Sequence, residues 1–231
     1  MDPLGEKYYS WSGYNYVMDS PVRLVDPDGR VVDLSRLSEE ELESYNSYIL
    51  TLRENVLFDL MYEHLVNSDE VYTVVFGSGE GGGSGGFDPN TNTVYFTANY
   101  YAVSQELFHA YQEDLQVYDR NDLAVREAEA DLFSESVAMS LGYGAKGSDK
   151  WNQGILWTYT DQNLVFTDQI LTDEFDEAFS TAVDARIEYY KNLEENEGIE
   201  AHATYIQKNS GKGALALKQL VFNMSKRNSN D

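Results

Sequence analysis

Two short polar patterns constrain the fold of this chain more than any other part of its sequence. The first pattern is Q-E-L-F-H, with Gln105, Glu106 and His109, and the second is E-A-E-A-D, with Glu127 and Asp131. Gln105 and His109 lie four residues apart, as do Glu127 and Asp131, so each pair projects from one face of a helix. Because only eighteen residues separate His109 from Glu127, the sequence predicts two adjacent helices that bring these side chains together.

The bounds of the two helices follow from apolar spacing and from a turn residue. Apolar residues recur at helical spacing from Val103 to Tyr111 and predict a first helix over residues 101–116. A second helix is predicted over residues 122–141, and Gly142 follows it as a typical helix terminator. A loop over residues 118–121 is expected to connect the two helices.

The first pattern differs by one residue from the motif H-E-x-x-H. In that motif two histidines four residues apart bind a zinc ion, and the glutamate takes a proton from the attacking water. Glu106 and His109 keep their positions, whereas Gln105 stands where the first histidine would be. A Gln side chain offers zinc only a neutral carbonyl oxygen, and a catalytic zinc ion normally has three protein ligands. The sequence therefore predicts Zn²⁺ binding of strongly reduced affinity, or none.

Two strands are predicted before the helix pair. Residues 71–76 and 93–97 are rich in β-branched and aromatic residues, and we expect them to pair antiparallel. With these strands, E-L-x-H-A and E-A-x-x-D, residues 71–141 resemble the gluzincin clan of zinc peptidases. The resemblance implies an α+β, mostly helical zincin fold with a small antiparallel sheet and an active-site helix pair. It also implies zinc-dependent hydrolysis of a peptide or protein substrate.

The resemblance assigns a role to each residue of the two patterns. It implies that Glu106 is the general base and that His109 and Glu127 are metal ligands. Asp131 would be the carboxylate that holds the imidazole of a ligand, and Gln105 is the altered ligand position. Three side chains elsewhere are candidates for the missing ligand: His64, His202 and Glu129.

The altered ligand position leaves three interpretations open. Glu106 favours a working peptidase, because an inactive site has no need of a base. Gln105 favours a catalytically inactive pseudopeptidase that serves as a binding or interaction module. In that case Gln105, His109 and Glu127 would hydrogen-bond to one another in a polar core. The third interpretation is an acidic structural or surface protein without a site.

Residues 1–33 make a separate, turn-rich segment. Residues 2–16 read D-P-L-G-E-K-Y-Y-S-W-S-G-Y-N-Y, and residues 20–29 read S-P-V-R-L-V-D-P-D-G. These runs resemble the end of the core region of Rhs (YD-repeat) proteins, although Gly13 and Ser20 stand where that family usually has Pro and Asn. In such proteins a variable toxin domain follows D-P-x-G. The resemblance implies that residues 34–231 are a polymorphic toxin tip, delivered to a target cell and recognised by an immunity protein.

The rest of the chain is predicted to be mostly helical. Apolar spacing predicts helices over residues 38–66, 149–166, 172–192, 199–208 and 213–224. We expect a helix break at residues 194–198 and a frayed tail at 226–231. Residues 77–86 contain seven glycines in ten but lack the G-K-[ST] of a phosphate loop, so they are predicted to be a loop. Three tyrosines are candidates for stabilising an oxyanion: Tyr159, Tyr189 and Tyr205.

Charge excludes several classes of partner. Lys and Arg total 16 against 40 Asp and Glu, a net charge of −24. This balance opposes binding to nucleic acid or to an anionic membrane, and it favours solubility or docking to a basic partner. There are no cysteines, so disulfides and thiolate metal sites are excluded. We see no apolar run of about 18 residues and no signal peptide, so export would depend on something outside this sequence.

Overall fold

The computed structural model describes residues 32–77, 85–119, 122–143, 150–197 and 209–228. Within these ranges the chain is α+β and mostly helical, as predicted. The Rhs-like run, most of the glycine-rich run and the helix predicted over residues 199–208 lie outside the described residues. The same is true of His202 and Tyr205.

The sheet has four strands, and its pairing corrects the sequence prediction. The strands are β1 (Val32–Asp33), β2 (Tyr72–Phe76), β3 (Gly85–Asp88) and β4 (Thr93–Phe96), in the order β1-β2-β4-β3. The two predicted strands, β2 and β4, are present but pair in parallel. β3 comes from the end of the glycine-rich run and pairs antiparallel with β4. The chain therefore turns twice between β2 and β4, and this makes them parallel.

The turn from β3 to β4 explains why β3 forms at the end of a glycine-rich run. Asp88 accepts hydrogen bonds from the backbone N–H of Asn90, at 2.9 Å, and from the hydroxyl of Thr91, at 2.9 Å. Asn92 has a φ of 49°, the left-handed conformation that Asn tolerates in turns. This local turn holds β3 against β4, and β3 becomes an edge strand of the sheet.

The helix predicted over residues 38–66 is two helices. α1 (Glu39–Leu52) begins with a capping box between Ser38 and Glu41, and α2 (Val56–Val66) follows after a break. Asn55 causes the break, because its side-chain oxygen accepts the N–H groups of Leu57 at 3.0 Å and Phe58 at 3.1 Å. The apolar spacing continues across the break, so it gave no sign that a second helix starts there.

α3 (Tyr100–Leu115) and α4 (Leu123–Ser140) are the predicted helix pair, and both predictions are confirmed to within about one residue at each end. The C-cap residue that follows α3, Gln116, has a φ of 52°. α4 is buried along almost its whole length, with small side chains such as Ala124, Ala128 and Ala130 facing its neighbours. These small residues allow other helices to approach α4 closely, which places its polar residues in the interior.

The C-terminal part contains α5 (Lys150–Tyr159), a 3₁₀ turn (Asp168–Leu171), α6 (Asp173–Glu197) and α7 (Leu215–Asn228). Three predicted bounds here are wrong. The helix predicted over residues 149–166 ends at Tyr159, because Asp161 caps a turn that pairs Thr160 with Phe166. α6 continues to Glu197, since glutamates sustain a helix rather than end it. α7 extends to Asn228, into the predicted tail.

In the described part of the chain, the helices enclose one apolar core that includes residues of β2, β4 and each of the helices α1 to α7. Its largest fully buried side chains include Tyr45, Phe58, Phe108, Phe133 and Phe175. Across the described ranges, none of the helices has the length and apolar character needed to cross a membrane.

Candidate functional site

The residues of the two sequence patterns meet where α3 and α4 pack against each other. The Nε2 atom of His109 lies 3.5 Å from Oε2 of Glu127. The side-chain N–H₂ of Gln105 donates to Oδ1 of Asp131 at 2.8 Å. The contact between His109 and Glu127 and the contact between Gln105 and Asp131 therefore both join α3 to α4, as the spacing predicts.

His109 and Glu127 form a buried ion pair. Burial favours the neutral imidazole and by itself lowers the pKa of His109. The nearby Glu127 carboxylate has the larger effect and raises this pKa to about 9. Burial likewise opposes charge on Glu127, yet His109 and then Arg186 hold the pKa of that carboxyl below its usual range. At neutral pH the pair is therefore charged on both sides.

Glu106 lies beside this pair in a different environment. Its side chain is half-buried, and none of the described residues hydrogen-bonds to its carboxylate. Burial raises the pKa of Glu106 from 4.5 to about 7, His109 partly offsets this shift, and the charges of Glu127 and Asp131 add to it. A carboxyl group with a pKa near neutrality can both accept and return a proton.

The edge strand β3 covers Glu106. A Cβ atom placed on Gly85 would lie 3.0 Å from Cγ of Glu106 and 3.2 Å from the carbonyl oxygen of Tyr95. Only glycine lets this strand approach α3 so closely. The general-base candidate thus lies directly under a half-buried edge strand of the sheet.

Gly85→Ala is expected to lower the free energy of unfolding by on the order of 1–2 kcal/mol, because the Tyr95 carbonyl belongs to the paired strand and cannot yield. Urea unfolding measures this change. Gly154→Ala on α5 is the contrasting variant: no atom lies within 4 Å of its added Cβ, and alanine inside a helix should stabilise the protein by about 0.5–1 kcal/mol. A Gly85→Ala variant as stable as the native protein would contradict the close packing of β3 over Glu106.

Asp131 is the most heavily bonded carboxylate of the site. Besides Gln105, it accepts from the hydroxyl of Tyr101 at 2.6 Å and forms an ion pair with the guanidinium of Arg186, which reaches it from α6. Burial raises the pKa of Asp131, and Arg186 offsets part of that shift. The Asp131 carboxylate thereby joins α3, α4 and α6.

These contacts test whether the site suits a zinc ion. His109 Nε2 and Glu127 Oε2 are about as far apart as two ligands of one tetrahedral zinc. Gln105, however, turns its amide N–H₂ towards Asp131, and amide N–H groups do not bind metals. Within the described ranges, no group of three or more His, Asp or Glu side chains has the arrangement of a metal site. The donor set does not fit a catalytic zinc with three protein ligands.

Two candidates for the missing ligand have other partners. His64 Nε2 lies 2.5 Å from Asp114, and its ring packs against Tyr111. Glu129 is fully buried on another side of α4, where it accepts the N–H of Leu217 at 2.8 Å and the hydroxyl of Tyr118 at 2.9 Å. Both side chains are thus part of the packing between helices.

Three residues of the site were not predicted from the sequence. Tyr101 and Gln112 lie on the same helix as His109, and Gln112 follows it at the spacing of one helical turn, which could have indicated the contact. Arg186 lies 55 residues after Asp131 and carries no local signal. The tyrosines proposed for an oxyanion lie elsewhere or outside the described residues: Tyr159 packs edge-on against Phe175, and Tyr189 is exposed beside Tyr190.

Comparison with protein-family models, curated proteins and solved structures finds no match for this chain.

Proposed function

We propose that residues 34–231 are a zincin-like domain that no longer binds zinc tightly and acts as a pseudopeptidase, a binding module for a peptide or protein. The observation that carries this proposal is the hydrogen bond from Gln105 to Asp131. In a zinc peptidase of this type, the position of Gln105 holds a ligand and the Asp131 carboxylate orients it. In this chain Gln105 and Asp131 hydrogen-bond to each other, and only His109 and Glu127 remain as strong zinc ligands.

The cellular setting of the proposal comes from the resemblance of residues 1–30 to the end of an Rhs core. On that basis the domain would be the tip of a polymorphic toxin protein. Its partners would then be a peptide or protein of the target cell and an immunity protein of the producing cell. The acidic balance, 40 Asp and Glu against 16 Lys and Arg, suits a partner with a basic surface.

A second candidate, a working peptidase, is favoured by Glu106. Its carboxyl group is half-buried, has a pKa of about 7 and lies under the edge strand β3. Such a group can take a proton from water and pass it to a leaving amine. Arg186 would bring a fixed positive charge, held by Asp131, to the same site.

Zinc titration of purified protein tests the proposal. The native protein is expected to bind zinc weakly, and Gln105→His is expected to bind it at least roughly 100-fold more tightly, because the added imidazole supplies the third ligand. Gln219→His is the matched control, since Gln219 is exposed on α7 and an imidazole there has no partners for a site. Calorimetry and elemental analysis after dialysis report both affinity and stoichiometry.

Two results would overturn the proposal. Tight zinc binding by the native protein would mean that another ligand completes the site, and the working peptidase would replace the pseudopeptidase. If Gln105→His bound no more zinc than Gln219→His, the helix pair would not be derived from a metal site at all.

A further inference from the structure

Gln112 is a buried side chain whose hydrogen bonds all point inwards. Its side-chain N–H₂ donates to Oε2 of Glu129 at 2.7 Å and to the backbone carbonyl of Arg126 at 3.0 Å. Its carbonyl oxygen Oε1 lies 2.9 Å from Nδ1 of His109. Only 1% of Gln112 is exposed, so water does not compete for these contacts.

The two acceptors decide which way the Gln112 amide faces. A backbone carbonyl can only accept, so the N–H₂ must face Arg126, with Glu129 on the same side, and Oε1 must face His109. The Nδ1 atom of His109 must then carry a proton to donate to Oε1. The other ring nitrogen, Nε2, is consequently the one that faces Glu127.

Glu129 connects this contact to the start of α7. Its Oε1 atom accepts the backbone N–H of Leu217, in the first turn of α7, at 2.8 Å. Tyr118 supports the same turn: its hydroxyl donates to Oε2 of Glu129 at 2.9 Å and accepts the N–H of Leu215 at 2.7 Å. A carboxylate at a helix N-terminus is favoured by the unpaired N–H groups there. Buried hydrogen bonds therefore run from α7 through Glu129 and Gln112 to the His109 ring.

We propose that Gln112 is the positioning residue of His109 and that Glu129 ties this position to the first turn of α7. This proposal rests on the proposed function in one respect, which is that His109 is a residue of the site. Gln112 thereby fixes which ring nitrogen of His109 faces Glu127.

The ring proton of His109 gives a direct test by NMR. The chain has three histidines, so ring N–H signals of the ¹⁵N-labelled native protein can be assigned with one His109→Gln variant. We expect a slowly exchanging proton on Nδ1 of His109. This proton is present whether the ring is neutral or charged, so the rates of all variants can be compared at one fixed pH. Its exchange rate with solvent measures how firmly the ring is held.

Two variants and one control separate positioning from general stability. In Gln112→Met, exchange of the Nδ1 proton is expected to be faster by roughly 10- to 100-fold, because a buried hydrogen bond to a charged ring is lost. In Glu129→Gln, exchange is expected to be faster as well, because Glu129 accepts with both oxygens, from Leu217 and from Gln112, and an amide has only one accepting oxygen. Gln219→Met on the exposed side of α7 should leave the rate unchanged. Urea unfolding of each variant shows whether global opening accounts for the exchange.

A His109 ring protonated only on Nε2 in the native protein would overturn the proposal without any variant. An unchanged exchange rate in folded Gln112→Met or in folded Glu129→Gln would also overturn it. These outcomes are independent of zinc: tight zinc binding by the native protein would reject the pseudopeptidase, yet it would leave the contact between Gln112 and His109 standing.

Discussion

Arg186→Met is expected to lower the free energy of unfolding by about 3–5 kcal/mol, because it leaves the Asp131 carboxylate buried without its counter-ion. The two side chains are 6% and 8% exposed, so water cannot replace the guanidinium. Methionine keeps most of the apolar volume, so the loss reports the charge rather than a cavity. Urea unfolding at neutral pH, followed by circular dichroism, measures the effect.

The matched control for this prediction is Arg227→Met. Arg227 pairs with Glu63 at 3.2 Å, but these side chains are 56% and 41% exposed, and such surface pairs contribute at most about 1 kcal/mol. Adding Asp131→Asn to Arg186→Met removes the unpaired charge and should restore part of the lost stability. If Arg186→Met cost no more than Arg227→Met, Asp131 would not depend on Arg186.

Glu106→Gln is expected to stabilise the protein at pH 8, by on the order of 2–3 kcal/mol. The pKa of Glu106 in the folded protein is about 7, above its ordinary value of 4.5. Folding therefore favours the protonated form, and the contribution of this group to stability is complete below pH 4.5 and is lost as the pH rises through 7. A neutral amide avoids that loss, so the variant and the native protein should differ at pH 8 and agree near pH 4.

Glu43→Gln provides the control for Glu106→Gln, because Glu43 is exposed on α1 and folding leaves it in water. The measurement is the free energy of unfolding in urea at several pH values between 4 and 8. A carboxylate that destabilises the fold at neutral pH is typical of a group kept for function. If Glu106→Gln followed the native protein at every pH, the shifted pKa and the base role that it supports would both be rejected.

The helix pair could be predicted from the sequence because its information is local. Apolar spacing and a terminating glycine fix α3 and α4, and i, i+4 spacing fixes which side chains share a face. The break before Asn55 could not be predicted in the same way, since apolar residues continue across it. The parallel pairing of β2 with β4 was missed because β3 begins with two glycines, which favour strands least.

The residues of the site also differ in whether local sequence could predict them. Gln105, Glu106, His109, Glu127 and Asp131 lie on the two predicted helices, and the structure brings them together. Arg186 comes from α6 and Glu129 finds its partner on α7. Which distant helix supplies a counter-ion or a backbone N–H depends on how the whole domain packs, and no residue spacing encodes that.

The sheet has two edge strands, β1 and β3, and they lie in different surroundings. β1 is formed by the last two residues of the N-terminal segment, Val32 and Asp33, whereas β3 lies over Glu106 at the opposite edge. Neighbouring strands are about 4.8 Å apart, so β1 lies about 14 Å across the sheet from β3, the strand that covers Glu106. The chain therefore enters the sheet at the edge opposite the strand that packs on Glu106.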